Sequence, residues 1–289
     1  MHPILYSFDG VTIYTYGFFV SVGFLVAFAL FLFELKKRGI SVDTGIDLAF
    51  WVLLAAIVGS RLVYVVINLG YFINYPLKIF MLWEGGLVWY GAFLGALGAA
   101  LIYFRAKRLN GWIWTDTAIP FVALGQAIGR IGCLMAGCCY GRPTDLFWGI
   151  TFTRSEIAPA GMALHPTQIY DMLLDLGIFL ILFFRRDRVT FRGEQILSYI
   201  FLYGATRTIV EAFRGDPRGL WLWGTVTTSQ LIGIFAVAVG IIIYYRIRER
   251  NRIDLIETAS QMKRQDAPKG AAKKALGPKK RKRAQGSRR

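Results

Sequence analysis

The sequence predicts an all-α polytopic membrane protein of seven transmembrane helices. Its N-terminus is expected outside, its C-terminus in the cytoplasm, and its outer loop region irregular or built with short strands. Three observations lead there. Hydrophobic residues fill 55% of the 289 positions and aromatic ones 15%, too apolar a composition for a disordered chain. The apolar residues gather in runs of about 20, the length a helix needs to cross a bilayer. The basic residues between those runs fall unevenly on alternate sides.

In order, the runs are Thr15–Leu35, Asp47–Leu69, Leu87–Phe104, Trp114–Gly137, Gln168–Phe184, Gly193–Glu211 and Thr228–Tyr245. With the N-terminus outside, the inner loops carry ten basic residues: Lys36, Lys37, Arg38, Arg105, Lys107, Arg108, Arg185, Arg186, Arg188 and Arg192. The outer loops carry five: Lys78, Arg142, Arg154, Arg214 and Arg218. This is the bias that sets membrane orientation. Between runs two and three, "YFINYPLKIFMLWEGG" is aromatic and too polar to span, so it is expected to lie along the outer interface. The outer segment "LFWGITFTRS" is expected to form a small strand pair.

The net charge of +16 belongs mainly to the end of the chain. Residues 246–289 hold 16 Lys/Arg against four acids. The chain therefore divides into a membrane domain over 1–245 and a basic tail over 246–289, expected to be disordered and cytoplasmic. Anionic membrane lipid is the expected partner of that tail, at about 1 kcal/mol per basic residue near the surface, with no nucleic acid. The opening "MHPILYSFDG" lacks the positively charged start of a cleavable signal peptide.

Of the 34 Lys/Arg, all but three lie in loops or tail; Arg61, Arg130 and Arg207 fall inside runs two, four and six. An arginine at membrane depth costs a few kcal/mol, so each must face protein or water and meet a partner. Three in an otherwise nearly charge-free region favour a shared anionic ligand. Helical spacing places Gln126, Arg130, Cys133 and Gly137 on one face. It likewise aligns Tyr203, Arg207, Glu211 and Arg214, so Glu211 can orient Arg207 one turn away. The planar, always-charged fork of arginine suits phosphate. Run five opens with "HPTQIYDML", where Gln168, Asp171 and Asp175 form a polar stripe below His165.

Cys133, Cys138 and Cys139 are too few for a disulfide framework. Their Cys-x4-Cys-Cys spacing lacks the paired pattern of zinc sites, and a vicinal bridge would be strained. They read as small packing residues, and neither metal nor cofactor is expected.

Together, "TYGFFVSVGF", "GSRLVYV", "WEGGLVWYGAFLG", "GRIGCLMAGCCYGRPTD", "HPTQIYD" and "YGATRTIVEAFR" closely resemble, in this order, the bacterial prolipoprotein diacylglyceryl transferase family. The resemblance runs from about Tyr14 through the seventh run. It implies a seven-helix inner-membrane enzyme with its active site toward the periplasmic side. Such enzymes move the diacylglyceryl group of phosphatidylglycerol to the lipobox cysteine thiol of a preprolipoprotein signal peptide and release glycerol 1-phosphate. Carried over residue by residue, the resemblance implies Arg130, Arg207 and Glu211 as catalytic residues. It implies Tyr16 and Gly141 for substrate binding, beside Arg130 and Arg207. Where the family often has histidine, this sequence has Tyr90; where it often has asparagines or a glutamate, Cys133, Ala136 and Cys138 stand; and Asp171 replaces a more usual glutamate.

The expected mechanism follows. Arg130 and Arg207 clamp the lipid phosphate, Glu211 orients Arg207, Tyr16 bonds the head group, and Arg61 is a further candidate for lipid binding. Tyr90 or His165 assists deprotonation of the incoming thiol, whose ordinary pKa is about 8.5. The rival reading from another class is a transporter of an anionic solute, which buried arginines and glycine-rich helices also suit.

Overall fold

The computed structural model describes residues 2–246, apart from positions 9–10, 83–84, 154, 156, 217–219, 222–225, 228–232, 236 and 239. The first of the chain's two compact units runs from Met1 to Tyr244. It opens with a hairpin of β1 (Ile4–Phe8) and β2 (Val11–Tyr14), in register Ile4↔Tyr14 and Tyr6↔Ile13. The hairpin is tied to the first helix where the Thr15 amide donates to the Pro3 carbonyl at 2.9 Å.

Six long helices follow: α1 (Thr15–Lys37), α2 (Val42–Ile67), α4 (Trp89–Ala106), α5 (Gly111–Ala136), α6 (Thr167–Arg185) and α7 (Glu194–Glu211), with the short α3 (Leu69–Asn74) after α2. They lie over the first six predicted spans, shifted by a few residues at each end. Of these, α1, α2, α5 and α6 are long and apolar enough to cross a membrane. The helices α4 and α7 have 18 residues each, about 27 Å at 1.5 Å per residue. The expected seventh span, 228–245, lies partly outside the described residues; those described between 233 and 246 are helical. The expected tail lies outside them from 247 onward.

Local chemistry accounts for the helix ends. The Ser41 hydroxyl accepts from the Thr44 amide at 3.2 Å, and the Asn110 side chain from the Trp112 amide at 3.1 Å, supplying the N-terminal acceptors that α2 and α5 need. For α7 the acceptor comes from α5. Asp116 takes the Gly193 and Ile196 amides at 2.6 and 3.1 Å.

Glycines set the packing. A Cβ on Gly23 of α1 would stand 2.6 Å from the Gly125 carbonyl of α5, and one on Gly132 would stand 3.0 Å from the Tyr16 carbonyl. These pairs run in opposite senses along the two helices, so α1 and α5 are antiparallel and in backbone contact. In the same way Gly59 of α2 meets Gly91 of α4. Helix α5 touches α1, α6 and α7 and forms the centre. A hydrophobic core of Phe31, Leu35, Leu48, Tyr103, Phe104, Trp114 and Phe121, mostly aromatic, fills one end. Outward side chains such as Phe33, Val66 and Ile102 remain about two-thirds exposed, at 68%, 68% and 70%. Such faces on long apolar helices suit lipid contact.

The segment after α2 forms α3 and a 3₁₀ turn over Pro76–Phe80, exposing Leu77 and Phe80. The expected strand pair is corrected. Within the loop between α5 and α6, β3 (Ile150–Thr151) pairs antiparallel with β4 (Ala163–Leu164), a partner from outside "LFWGITFTRS". Burial explains it, because Phe152 and Leu164 close a small core with Ala158, packed against Leu134 and Tyr140. Farther on, β5 (Leu220–Trp221) pairs with β6 (Val226–Thr227).

Candidate active site

Three polar stripes converge because α5 packs on both α6 and α7. From α5 comes Arg130, from α6 Asp171 and Asp175, and from α7 Arg207 and Glu211. One carboxylate oxygen is the hub. Asp171 Oδ2 lies 3.1 Å from Arg130 Nη1, 3.7 Å from Arg207 Nη1 and 3.6 Å from Arg214 Nη1. Around it, Arg130 Nε meets Asp175 Oδ2 at 3.6 Å, and Arg207 Nη2 meets Glu211 Oε2 at 2.8 Å. Arg214 grips Asp216 with both prongs, at 2.8 and 3.0 Å.

Asp171, Asp175, Glu211 and Arg214 are buried. The side chains of Arg130 and Arg207 keep 17% and 12% exposure, so the two cations named from sequence are also the accessible ones. Charges removed from water are tolerable only when paired this closely. Two of the three hub contacts, at 3.6 and 3.7 Å, are long for hydrogen bonds, and Asp171 Oδ2 makes no well-aligned one among the described residues. Guanidiniums from three segments thus surround one point with donors spread wider than a single oxygen can use. That arrangement suits a larger oxyanion. Deeper along the same faces, Tyr199 donates to Gln126 Oε1 at 2.6 Å and stacks on Tyr203.

The end of the site is stitched from three short segments. The Gly141 amide donates to the His165 carbonyl at 3.0 Å, and the Arg142 amide to the Phe213 carbonyl at 2.8 Å. The Gly215 amide donates to the Tyr140 carbonyl at 3.1 Å, and Arg142 Nε to the Arg214 carbonyl at 3.1 Å. A Cβ on Gly141 would stand 2.5 Å from the His165 carbonyl and 2.8 Å from that of Phe213. Only glycine lets the segment that aligns Arg214 close on its neighbours. His165 is partly buried, its Nδ1 3.2 Å from the Tyr170 hydroxyl, which accepts from Trp148 Nε1 at 2.7 Å.

The remaining expected residues lie apart or at the edge. Tyr16, half exposed in the first turn of α1, rests its backbone on Gly132, two residues from Arg130. Tyr90 opens α4, half exposed and edge-on to Trp89. Arg61, the further candidate for lipid binding, has its guanidinium engaged by backbone carbonyls. Its Nε donates to the Ile79 carbonyl at 2.9 Å, Nη1 to Gly85 and Gly86 at 2.6 and 3.3 Å, and Nη2 to Lys78 and Met81 at 2.5 and 3.1 Å. Five carbonyls occupy the five donors of a guanidinium. Its plane also lies over the rings of Tyr64 and Phe72. Arg61 braces the loop that leads into α4.

The sequence places Arg214 on the face of Arg207 and Glu211, and Asp171 and Asp175 in a polar stripe, but gives none of the three a role in the site. The spacing of Arg214, seven residues or two helical turns after Arg207, was the signal for one. The sulfur atoms of Cys133, Cys138 and Cys139 also converge, all within 4.8 Å of one another.

These features define a multi-pass helical membrane protein with a buried arginine–carboxylate cluster. The chain belongs to the prolipoprotein diacylglyceryl transferase family, whose model, described as "Prolipoprotein diacylglyceryl transferase", matches residues 3–246. It is 37% identical over 246 residues to a phosphatidylglycerol–prolipoprotein diacylglyceryl transferase of Clostridium tetani, covering 84% of this chain and 97% of that one. A second such protein, from Clostridium perfringens, is 37% identical over 247 residues, covering 84% and 94%. One from Clostridioides difficile is 30% identical over 257 residues, covering 89% and 100%.

Proposed function

We propose that this chain transfers the diacylglyceryl group of phosphatidylglycerol to the lipobox cysteine thiol of a preprolipoprotein, the first step of bacterial lipoprotein maturation. A thioether carbon–sulfur bond forms, the glyceryl carbon–oxygen bond to phosphorus breaks, and glycerol 1-phosphate leaves. The observation that carries the reading is the single Asp171 oxygen lying 3.1–3.7 Å from three guanidiniums. A lipid phosphate offers several oxygens where the carboxylate offers one.

The leaving phosphate gains negative charge as the bond breaks, and donors already aimed at it stabilise that charge most where water is scarce. Arg130 and Arg207 act as the clamp, with Glu211 orienting Arg207 and Arg214 completing the ring. Tyr16 bonds the head group from the edge. His165 or Tyr90 takes the thiol proton. Proximity favours His165, because its segment pairs with Gly141 and Arg142, which in turn hold Arg214. The nucleophile arrives with the peptide. Holding two membrane-bound substrates in one oriented site lowers the barrier further.

The protein works in the inner membrane with seven crossings, α4, α7 and the segment ending near Tyr245 included. The site faces the periplasm. Support comes from topology: the start of α1, the end of α5, the start of α6 and the end of α7 share the site's end, opposite Lys36, Lys37, Arg38, Arg186 and Arg192. The membrane domain, 1–245, carries the chemistry, and the basic tail rests on anionic lipid at the cytoplasmic surface. The family assignment leaves the anion-transporter reading without support. Incubating the membrane-embedded protein with glyceryl-labelled phosphatidylglycerol and a lipobox peptide tests the proposal. Label appearing on the peptide thiol is expected, and a peptide left unlabelled overturns it.

A further inference from the structure

Cys133 ends the polar face of α5, and the turn after it brings two more thiols back toward it. Gly137 terminates the helix in the left-handed region at φ 74°, and its amide bonds the Cys133 carbonyl at 3.0 Å. Cys139 adopts φ 61°, a conformation costly for a residue with a side chain. The turn is held from outside: Gln168 Nε2 donates to the Cys138 carbonyl at 2.7 Å and Thr167 Oγ1 to the Cys139 carbonyl at 2.6 Å. Thr167 and Gln168 are both buried. The result is a cluster of three reduced thiols, Cys133 buried and the others partly so, with all three sulfurs inside 4.8 Å.

From this geometry we infer that Cys133, Cys138 and Cys139 form a three-sulfur site for a soft, thiophilic d10 metal ion of the Cu(I) or Zn(II) class. Metal–sulfur bonds of about 2.3 Å place three sulfurs around one ion about 4 Å apart. A contraction of less than an ångström therefore converts the observed cluster into a coordination shell. Soft sulfur donors select these ions over hard ones. On binding, each thiol releases its proton to solvent as its sulfur takes the ion, and no electron moves. Three thiolates around a divalent ion leave one negative charge, and the Arg214 guanidinium stands beside Cys139 to balance it. The spacing Cys-x4-Cys-Cys conceals this site, because the left-handed turn brings together sulfurs that a continuous helix would not.

The test uses the full-length reduced protein in detergent, titrated with Cd2+ under argon. Sulfur-to-cadmium charge-transfer absorption is expected to rise to one equivalent and then stop. Cys133→Ala should weaken binding at least about tenfold, the effect of 1.4 kcal/mol, and the Cys138→Ala, Cys139→Ala double variant should lose the band. A wild-type protein with no band, or a Cys133→Ala variant that binds as tightly as wild type, overturns the inference. Should the variants misfold, alkylation of the wild-type protein decides. One equivalent of Cd2+ is expected to shield three thiols together from maleimide, and unchanged labelling refutes the site. Neither readout depends on diacylglyceryl transfer.

Discussion

Arg130 and Asp171 meet across α5 and α6 at 3.1 Å, while the Arg130 Nε reaches Asp175 one turn along the same helix at 3.6 Å. The guanidinium thus reads two carboxylates with two of its edges, and the same Asp171 oxygen joins it to Arg207 and Arg214. Removing this arginine should remove both the positive charge and the fork. Arg130→Ala is expected to lower transfer at least about a hundredfold, the scale of losing a preorganised oxyanion donor. Arg130→Lys keeps a point charge but cannot serve both carboxylates, so a loss of about tenfold or more is expected. Initial rates of labelled transfer measure both, and near-normal turnover in Arg130→Ala would end the phosphate-clamp idea.

Glu211 acts through Arg207, which it holds at 2.8 Å. Glu211→Gln preserves shape and removes charge. The expected outcome is a fall of about tenfold in kcat/KM, the value of one charge-assisted bond of about 1.4 kcal/mol. Arg207→Ala should cost more. If the two variants were indistinguishable from wild type in KM and kcat, Glu211 and Arg207 would merely neutralise each other.

Arg61 gives a contrasting prediction. Its five carbonyl partners lie between Lys78 and Gly86, and Arg61→Ala would leave these partly buried acceptors without it. A loss of at least about 2 kcal/mol in stability is expected, seen as a lowered unfolding temperature in detergent. A thermal transition unmoved by the substitution would show that the loop does not depend on Arg61.

Much of this arrangement was legible in the sequence, because the bilayer makes helix length and charge placement nearly obligatory. Six predicted spans coincide with helices, and the two arginines stranded in spans four and six meet at one carboxylate. Arg61 shows the limit. Its position at membrane depth signals a buried cation, but whether a ligand or a carbonyl-lined loop receives it depends on the path of residues 78–86. Asp171 was visible as a polar stripe, yet its role as hub required the mutual rotation of three helices. The N-terminal hairpin had a signal in Asp9-Gly10 between short β-branched and aromatic runs, overshadowed by the much longer apolar pattern beside it.

Gly141 makes the sharpest steric prediction. A methyl group there would press on two carbonyls, those of His165 and Phe213, at 2.5 and 2.8 Å. Backbone atoms have little room to yield, so Gly141→Ala should cost about 1–3 kcal/mol and loosen the segment that aligns Arg214. Transfer and thermal stability should fall together. A stable variant with lost lipid affinity would assign Gly141 to direct substrate contact instead.

The thiols give the last prediction. Cys138 and Cys139 lie beside Arg214, but that guanidinium keeps both hydrogen bonds to Asp216 when the sulfurs are gone. The Cys138 thiol donates only a weak, 3.7 Å contact to the Cys133 carbonyl, and the backbone carbonyls that anchor the turn do not depend on the side chains. Since the reacting sulfur belongs to the peptide, the double variant Cys138→Ala, Cys139→Ala should retain transfer within about threefold of wild type, the scale of one weak hydrogen bond of about 0.5–1 kcal/mol. The assay is run in metal-free buffer, so that any ion on the cluster does not enter the comparison. Complete loss of transfer, with size-exclusion behaviour and helicity unchanged, would place a thiol of this protein in the chemistry.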